Sequence, residues 1–300
     1  MKAIANFAQL VEAAQAAGPK RIAVAAAHSP EVLASADELN KLGIARGYLV
    51  GDAPTIESLA RQRGLDLSGF AIVHEPDVEA AARRVVALAR EGDADVVVKG
   101  DLKTSQILKA ALDRAKGIRT GKLFTHVGIF EVPGMERLLY MSDSGVILNP
   151  TIYEKLEIIK GVVEVAHKFG LEVPKVAILS ATEVVDPKVP SSVDALALAK
   201  MAQQEVEGAI VDGPMTLDIA ISAEAAERKG FDSPVAGQAD ILIVPSVMSG
   251  NTAAKAIQYL AHGRMAGLVV GARVPIIINS RADTAETRLL STAMAVVLAG

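Results

Sequence analysis

Short unbroken apolar runs alternate with stretches of helical spacing along almost the whole chain, and this rhythm limits the folds open to it. Arg21 to Ala26, Gly47 to Val50 and Asp95 to Gly100 are runs of strand length. Between them, residues 31–42, 55–63 and 77–91 carry apolar residues at helical spacing. Strands that are apolar on both faces belong to sheets covered by helices on both sides. A repeated strand–helix order gives an α/β fold with a parallel or mostly parallel sheet.

The rhythm breaks once. Leu123 to Phe130 and Arg137 to Met141 are short apolar runs joined through Pro133-Gly134, the pattern of a hairpin. After Pro150 the alternation returns, with helices expected at 151–169, 193–204, 217–229 and 251–262. Strands are expected at 175–180, 208–212, 240–245, 267–271 and 274–279, before a last helix from about 284. Three hundred residues exceed a comfortable single core. We therefore expect two α/β lobes around a cleft, residues 1–122 with 273–300 in one and 123–272 in the other. Such a cleft is a natural ligand site.

Composition removes several function classes. The net charge is −4, which does not suit a nucleic-acid binder. There is no cysteine, hence no disulfide, thiolate metal site or cysteine nucleophile. No apolar stretch has the roughly 18 residues of a membrane span, and no signal-peptide core follows Met1. A cytoplasmic protein is the expectation. There is no P-loop and no early G-x-G-x-x-G. The histidines at 28, 74, 126, 167 and 262 lack ligand spacing, so no metal site is expected.

The densest chemistry lies in Asn279-Ser280-Arg281-Ala282-Asp283-Thr284-Ala285-Glu286. A buried strand ends here in a serine, an arginine and a helix start. Ligands of open α/β sheets bind at carboxyl ends of strands. Free N–H groups at a helix start and the planar fork of Arg281 together suit a phosphate. Asp283 and Glu286 have the spacing of a capping box, and Arg281 could instead pair with a surface carboxylate. Weaker clusters end other strands. Lys103 and Thr104 sit in Gly100-Asp101-Leu102-Lys103-Thr104-Ser105, with Thr104 a plausible N-cap. Asp212-Gly213-Pro214-Met215 reads as a turn. In Ser249-Gly250-Asn251-Thr252, Asn251 could cap a helix and Lys255 lies one turn further on. Lys103, Thr104, Asn251 and Lys255 are the expected substrate-binding residues.

These clusters, in this order, resemble the phosphate acetyltransferase and phosphate butyryltransferase family. The segments that carry the resemblance are Val98-Lys99-Gly100-Asp101-Leu102-Lys103-Thr104, Gly117-Ile118-Arg119-Thr120-Gly121, Val211-Asp212-Gly213-Pro214, Val235-Ala236-Gly237-Gln238-Ala239-Asp240, Ser249-Gly250-Asn251-Thr252 and Ser280-Arg281-Ala282-Asp283. Thr125-His126-Val127, Pro187-Lys188-Val189-Pro190 and the Ser280 tract look closer to the butyryl branch.

The resemblance implies two domains like those of the isocitrate and isopropylmalate dehydrogenases, and a homodimer or higher homo-oligomer. It implies reversible conversion of acyl-CoA and phosphate to acyl phosphate and CoA. Transfer is direct, in a ternary complex, with CoA a substrate and no cofactor. By the same resemblance Arg281 binds phosphate and Ser280 orients the thioester or thiol. One position departs from the acetyl branch: Thr287 stands where a carboxylate is the proposed base for the CoA thiol. Glu286, beside it, is the candidate substitute, unless capping claims it. Two other readings compete. One is a metal- and NAD-dependent decarboxylating dehydrogenase of the same fold, and the other a non-catalytic sensor of acyl phosphate or CoA.

Overall fold

The computed structural model describes residues 3–300. The element order opens with α1 (Phe7–Ala17), β1 (Lys20–Ala25), α2 (Pro30–Lys41), β2 (Ala45–Gly51), α3 (Ala53–Arg63), β3 (Phe70–His74), α4 (Val78–Glu91), β4 (Val96–Lys99) and α5 (Thr104–Ala111). It continues with β5 (Thr125–Glu131), β6 (Leu139–Ser142), α6 (Ile152–Lys168), β7 (Lys175–Leu179), α7 (Pro190–Glu205), β8 (Ile210–Met215), α8 (Leu217–Ile221), α9 (Ala223–Arg228), β9 (Ile241–Ile243) and α10 (Val247–Tyr259). The chain closes with β10 (Arg264–Val270), β11 (Ile276–Ile277) and α11 (Ala285–Leu298). It is an α/β protein throughout.

Two compact units divide it. One comprises Phe7–Phe124 with Ala266–Gly300, and the other the described residues up to Asn6 with Thr125–Met265. The return to the first unit comes at Ala266, earlier than the expected 273. The reason is pairing: Val269 in β10 lies opposite Ile276 in β11, so the later residues of β10 travel with the closing strand.

In the first unit the strand order is β3-β2-β1-β4-β11-β10. All neighbours are parallel except β10 and β11. The central strands are apolar on both faces at positions such as Val96 and Val97, because helices cover both sides. α4 shows how local sequence sets this. Asp77 caps it, accepting from Ala80 N at 2.7 Å, and Gly92 ends it in the left-handed region at φ 84°. Ala81, Ala82, Val85, Val86, Leu88 and Ala89 form its buried stripe. Each fully buried aliphatic side chain contributes roughly 1.5–3 kcal/mol by leaving water.

In the second unit the order is β5-β6-β9-β7-β8. The hairpin β5–β6 is antiparallel and the other neighbours are parallel. Phe130, Met141, Ala177, Met215, Ile219 and Leu242 belong to its core.

Four local expectations change. The stretch 217–229 is two helices, because Ser222 turns out of the first and caps the second, accepting from Ala225 N at 3.2 Å. Asp212-Gly213-Pro214-Met215 is no turn: β8 runs through it, with an irregular register opposite Ala177 and Leu179. The helix expected from 251 starts at Val247, since Ser246 is its cap. The strand expected over 274–279 shrinks to Ile276–Ile277. Pro275 has no N–H to extend it backwards, and Asn279 turns its side chain to Asp283 and Ser291.

Gly100 sits where β4 meets β1. A Cβ there would lie 2.4 Å from Ala25 O and 2.5 Å from Ala26 O, both backbone atoms. Gly100→Ala is expected to force the two strand ends apart and lower stability by about 1–3 kcal/mol. A urea melt reads this directly, and an unchanged midpoint would contradict the close approach.

Candidate functional site

The register fixes which strand ends meet in the first unit. Ala25 pairs with Lys99, and Val98 pairs with Ile277. The carboxyl ends of β1, β4 and β11 therefore lie side by side, followed by Ala26-Ala27-His28, Gly100-Asp101 and Ile278-Asn279-Ser280. Ala26 takes a left-handed conformation at φ 51°, uncommon for a residue with a Cβ. Its carbonyl accepts from Asp101 N at 2.9 Å, which joins the first two ends.

The Ser280 corner is held from several sides. Asp283 is buried, and its Oδ2 accepts from Ser280 N at 2.8 Å and from Asn279 Nδ2 at 3.3 Å. The Arg288 guanidinium, on α11, donates to Ser280 O at 2.9 Å. The Lys99 ammonium donates to Asn279 O at 2.7 Å. Arg288 is 7% exposed and its pKa is lowered, chiefly by burial, against the opposing pull of Asp283, Glu31 and Asp101. Below the corner, Ser291 Oγ donates to Thr287 O at 2.8 Å and accepts from Gly267 N at 3.1 Å. Polar groups out of water need such partners.

On this fixed backbone, Ser280 and Arg281 are both exposed. Ser280 Oγ accepts from Ala282 N at 3.3 Å, which leaves its hydroxyl proton to donate. Among the described residues Arg281 has no ion pair, so the surface-carboxylate alternative is not what the structure shows. An exposed guanidinium at the carboxyl end of a sheet, beside a hydroxyl donor, can bind an oxyanion.

The cap is a correction. Thr284, not Asp283, is the N-cap of α11, and its side chain accepts from Thr287 N at 3.2 Å. Asp283 is turned inward to hold the corner. Glu286 is exposed in the first helical turn, where a carboxylate meets the positive end of the helix. Thr287 is buried, with its hydroxyl 3.2 Å from that of Thr284.

Lys103 is the N-cap residue of α5, its N–H donating to Gln106 Oε1 at 2.9 Å, and Thr104 is the first helical residue rather than the cap. Both follow the β4 end in the same unit as Ser280. Asn251 and Lys255 belong to the other unit, on α10. Ser246 caps that helix in a reciprocal box with Ser249, so Asn251 is an exposed position inside it. Lys255 Nζ donates to Gln258 Oε1 at 3.1 Å and lies 5.8 Å from the Tyr259 ring centre.

Sequence reasoning passed over two buried cations, Lys99 and Arg288. A signal existed for Lys99, the one charge inside the apolar run of β4. Nothing in the pattern of α11 marks Arg288 as turned inward. It also passed over Asp143 in the second unit, whose carboxylate accepts from the N–H groups of His126, Gly145 and Val146 at 2.7–3.1 Å. His126 Nδ1 there lies 3.0 Å from Ser144 Oγ.

Comparison with known proteins makes the class of this chain specific. The family model described as "Phosphate acetyl/butaryl transferase" matches residues 6–89 and 76–296. The phosphate butyryltransferase of Clostridium acetobutylicum is 41% identical over 298 residues, covering 99% of each chain. The phosphate acetyltransferase of Rhizobium meliloti is 39% identical, over 98% of this chain and 93% of its own. A branched-chain phosphotransacylase from Enterococcus faecalis V583 superimposes with a TM-score of 0.84 at 29% identity, over 93% of this chain and 99% of that one. The chain belongs to the phosphate acetyl/butyryl transferase family and is a phosphate acyltransferase.

The corner generates a paired expectation. Thr284→Ala should lower stability by about 0.5–2 kcal/mol through loss of the cap. Glu286→Gln should move the melting temperature by no more than about 2 °C and leave the rate within a few-fold. A rate loss of roughly 10² or more for Glu286→Gln would instead make that carboxylate the proton acceptor.

Proposed function

We propose that this protein interconverts a short-chain acyl-CoA plus phosphate with acyl phosphate plus CoA by direct transfer in a ternary complex, and that butyryl is a better acyl group than acetyl. Arg281 holds the phosphate in its planar fork. Ser280 donates its hydroxyl proton to the thioester and sets its orientation. Lys103, Thr104, Asn251 and Lys255 contribute to substrate binding. The observation that carries the site is the pairing of an exposed, carboxylate-free Arg281 with Ser280 on a corner whose backbone is hydrogen-bonded on both sides. The family carries the reaction. Resemblance also supports a cytoplasmic homodimer that works without a bound cofactor, CoA being a substrate.

In the forward direction an oxygen of hydrogen phosphate attacks the thioester carbonyl carbon. The carbon–sulfur bond breaks, and the phosphate proton ends on the CoA sulfur. Charge moves from phosphate toward the carbonyl oxygen and sulfur, so fixed donors that need no rearrangement lower the barrier.

Release of free CoA from butyryl-CoA should require phosphate, and equal release without it would indicate a thioesterase. Arg281→Ala should reduce the rate by roughly 10²–10³. Arg281→Lys should also be poor, because a point charge cannot reproduce the fork. A lysine variant of full activity would remove Arg281 from the phosphate site.

Chain-length preference follows from burial. Each buried methylene contributes roughly 1–3 kcal/mol to discrimination. Butyryl-CoA is therefore expected to exceed acetyl-CoA in kcat/KM by up to about two orders of magnitude. Initial rates across acetyl-, propionyl-, butyryl- and longer acyl-CoA decide it. A preference for acetyl would overturn the butyryl assignment.

A further inference from the structure

Two lysines are buried among the described residues, Lys155 and Lys99, and they keep different company. Lys155 is ion-paired with Asp194 at 3.2 Å. Lys99, 3% exposed, donates only to backbone carbonyls, Asn279 O at 2.7 Å and Gly100 O at 3.4 Å. An ammonium taken out of water without a carboxylate in ion-pair contact is costly. The neighbouring positions Val96 and Val97 show that the strand itself is satisfied by apolar residues. Its place is specific as well: Lys99 touches the residue that immediately precedes Ser280.

We propose that Lys99 is a catalytic residue of this enzyme, the group that carries the proton between phosphate and the CoA sulfur. The proposal rests on the phosphate acyltransferase reading and adds the proton carrier that the reading lacks. Thr287 cannot serve, being a weakly basic alcohol already engaged with Thr284.

The electrostatics fit the role. Four charged groups act on the amine: Asp101 after β4, Arg281 and Asp283 in the corner, and Arg288 on α11. Burial, then Arg288 and Arg281, lower its pKa to about 8, and Asp101 and Asp283 oppose them. Both protonation states are then accessible near neutral pH, which is the condition for moving a proton in each direction.

The step balances. As an oxygen of hydrogen phosphate forms its bond to the carbonyl carbon, the phosphate proton passes to the neutral amine. The carbon–sulfur bond breaks with its electron pair on sulfur. The ammonium then returns the proton to the thiolate, giving acyl phosphate, CoA thiol and a neutral Lys99. The reverse reaction runs through the same states, with the amine taking the thiol proton first.

The sign of the pH dependence follows. Neutral amine is the active form, so kcat/KM for butyryl-CoA at saturating phosphate should rise with pH through the Lys99 titration. Bound phosphate, an anion, shifts that titration upward. The experiment measures this profile for the wild type, Lys99→Arg and Lys99→Ala. Lys99→Arg keeps a cation but cannot release its proton. It should lose roughly 10²–10⁴ in kcat, lose the rising limb and hold KM for phosphate within a few-fold. Lys99→Ala should be similarly slow and regain activity with added methylamine, in proportion to the free base. An arginine variant with wild-type kcat or an unaltered limb, or an alanine variant that folds but is not rescued, would overturn the proposal.

Should both variants fail to fold, wild-type protein labelled with ¹⁵N-lysine decides by NMR. One side-chain amine titrating near 8 and moving upward with inorganic phosphate supports the proposal. All lysines titrating near the ordinary value of about 10.4 would defeat it. Wild-type protein that releases no CoA would count against the acyltransferase reading instead, and the NMR titration would still decide the state of Lys99.

Discussion

The bond from Lys99 Nζ to Asn279 O joins two strand ends that lie far apart in sequence. It spans 180 positions and fixes the chain one residue before Ser280. Arg288 grips the next carbonyl, and Asp283 holds the N–H between them. Ser280 thus sits in a backbone segment whose hydrogen-bonding groups are taken by buried side chains, while its own hydroxyl and the Arg281 fork face outward. The rest of the unit serves this arrangement. The close contact of Gly100 with β1 aligns the strand ends, and the burial of α11 from Thr287 to Val296 sets where Arg288 enters.

Charged groups of both signs meet around the corner. Burial, Arg288 and Arg281 lower the pKa of Lys99, whereas burial alone lowers that of Arg288, against Asp283, Glu31 and Asp101. Preorganised charge of this kind is compatible with a fold only where packing elsewhere supplies the stability.

Elements with strong periodicity were legible in the sequence. α4, with its Asp77 cap and Gly92 stop, and α6, with the Thr151–Glu154 box, stand close to where the pattern put them. The β5–β6 hairpin was readable from Pro133-Gly134. Local polar choices were not. Asp283 and Thr284 are both good caps, and only the inward turn of Asp283 toward Ser280 N leaves the role to Thr284. Ser246 outcompeted Asn251 at α10 because its box with Ser249 is reciprocal. The order of motifs pointed to Ser280 and Arg281. Lys99 stood in a quoted motif, yet its burial could not be known until β11 was placed beside β4.

The placement of β11 also bears on how the molecule is made. β4 pairs with β1 on one side and with Ile276–Ile277 on the other. A ribosome delivers residues 125–265 between these two partners, so the apolar edge of β4 must wait, unpaired, while an entire second unit emerges. Edges of that kind are where nascent chains join the wrong neighbour. No partial chain that ends before β11 can possess the Ser280 corner.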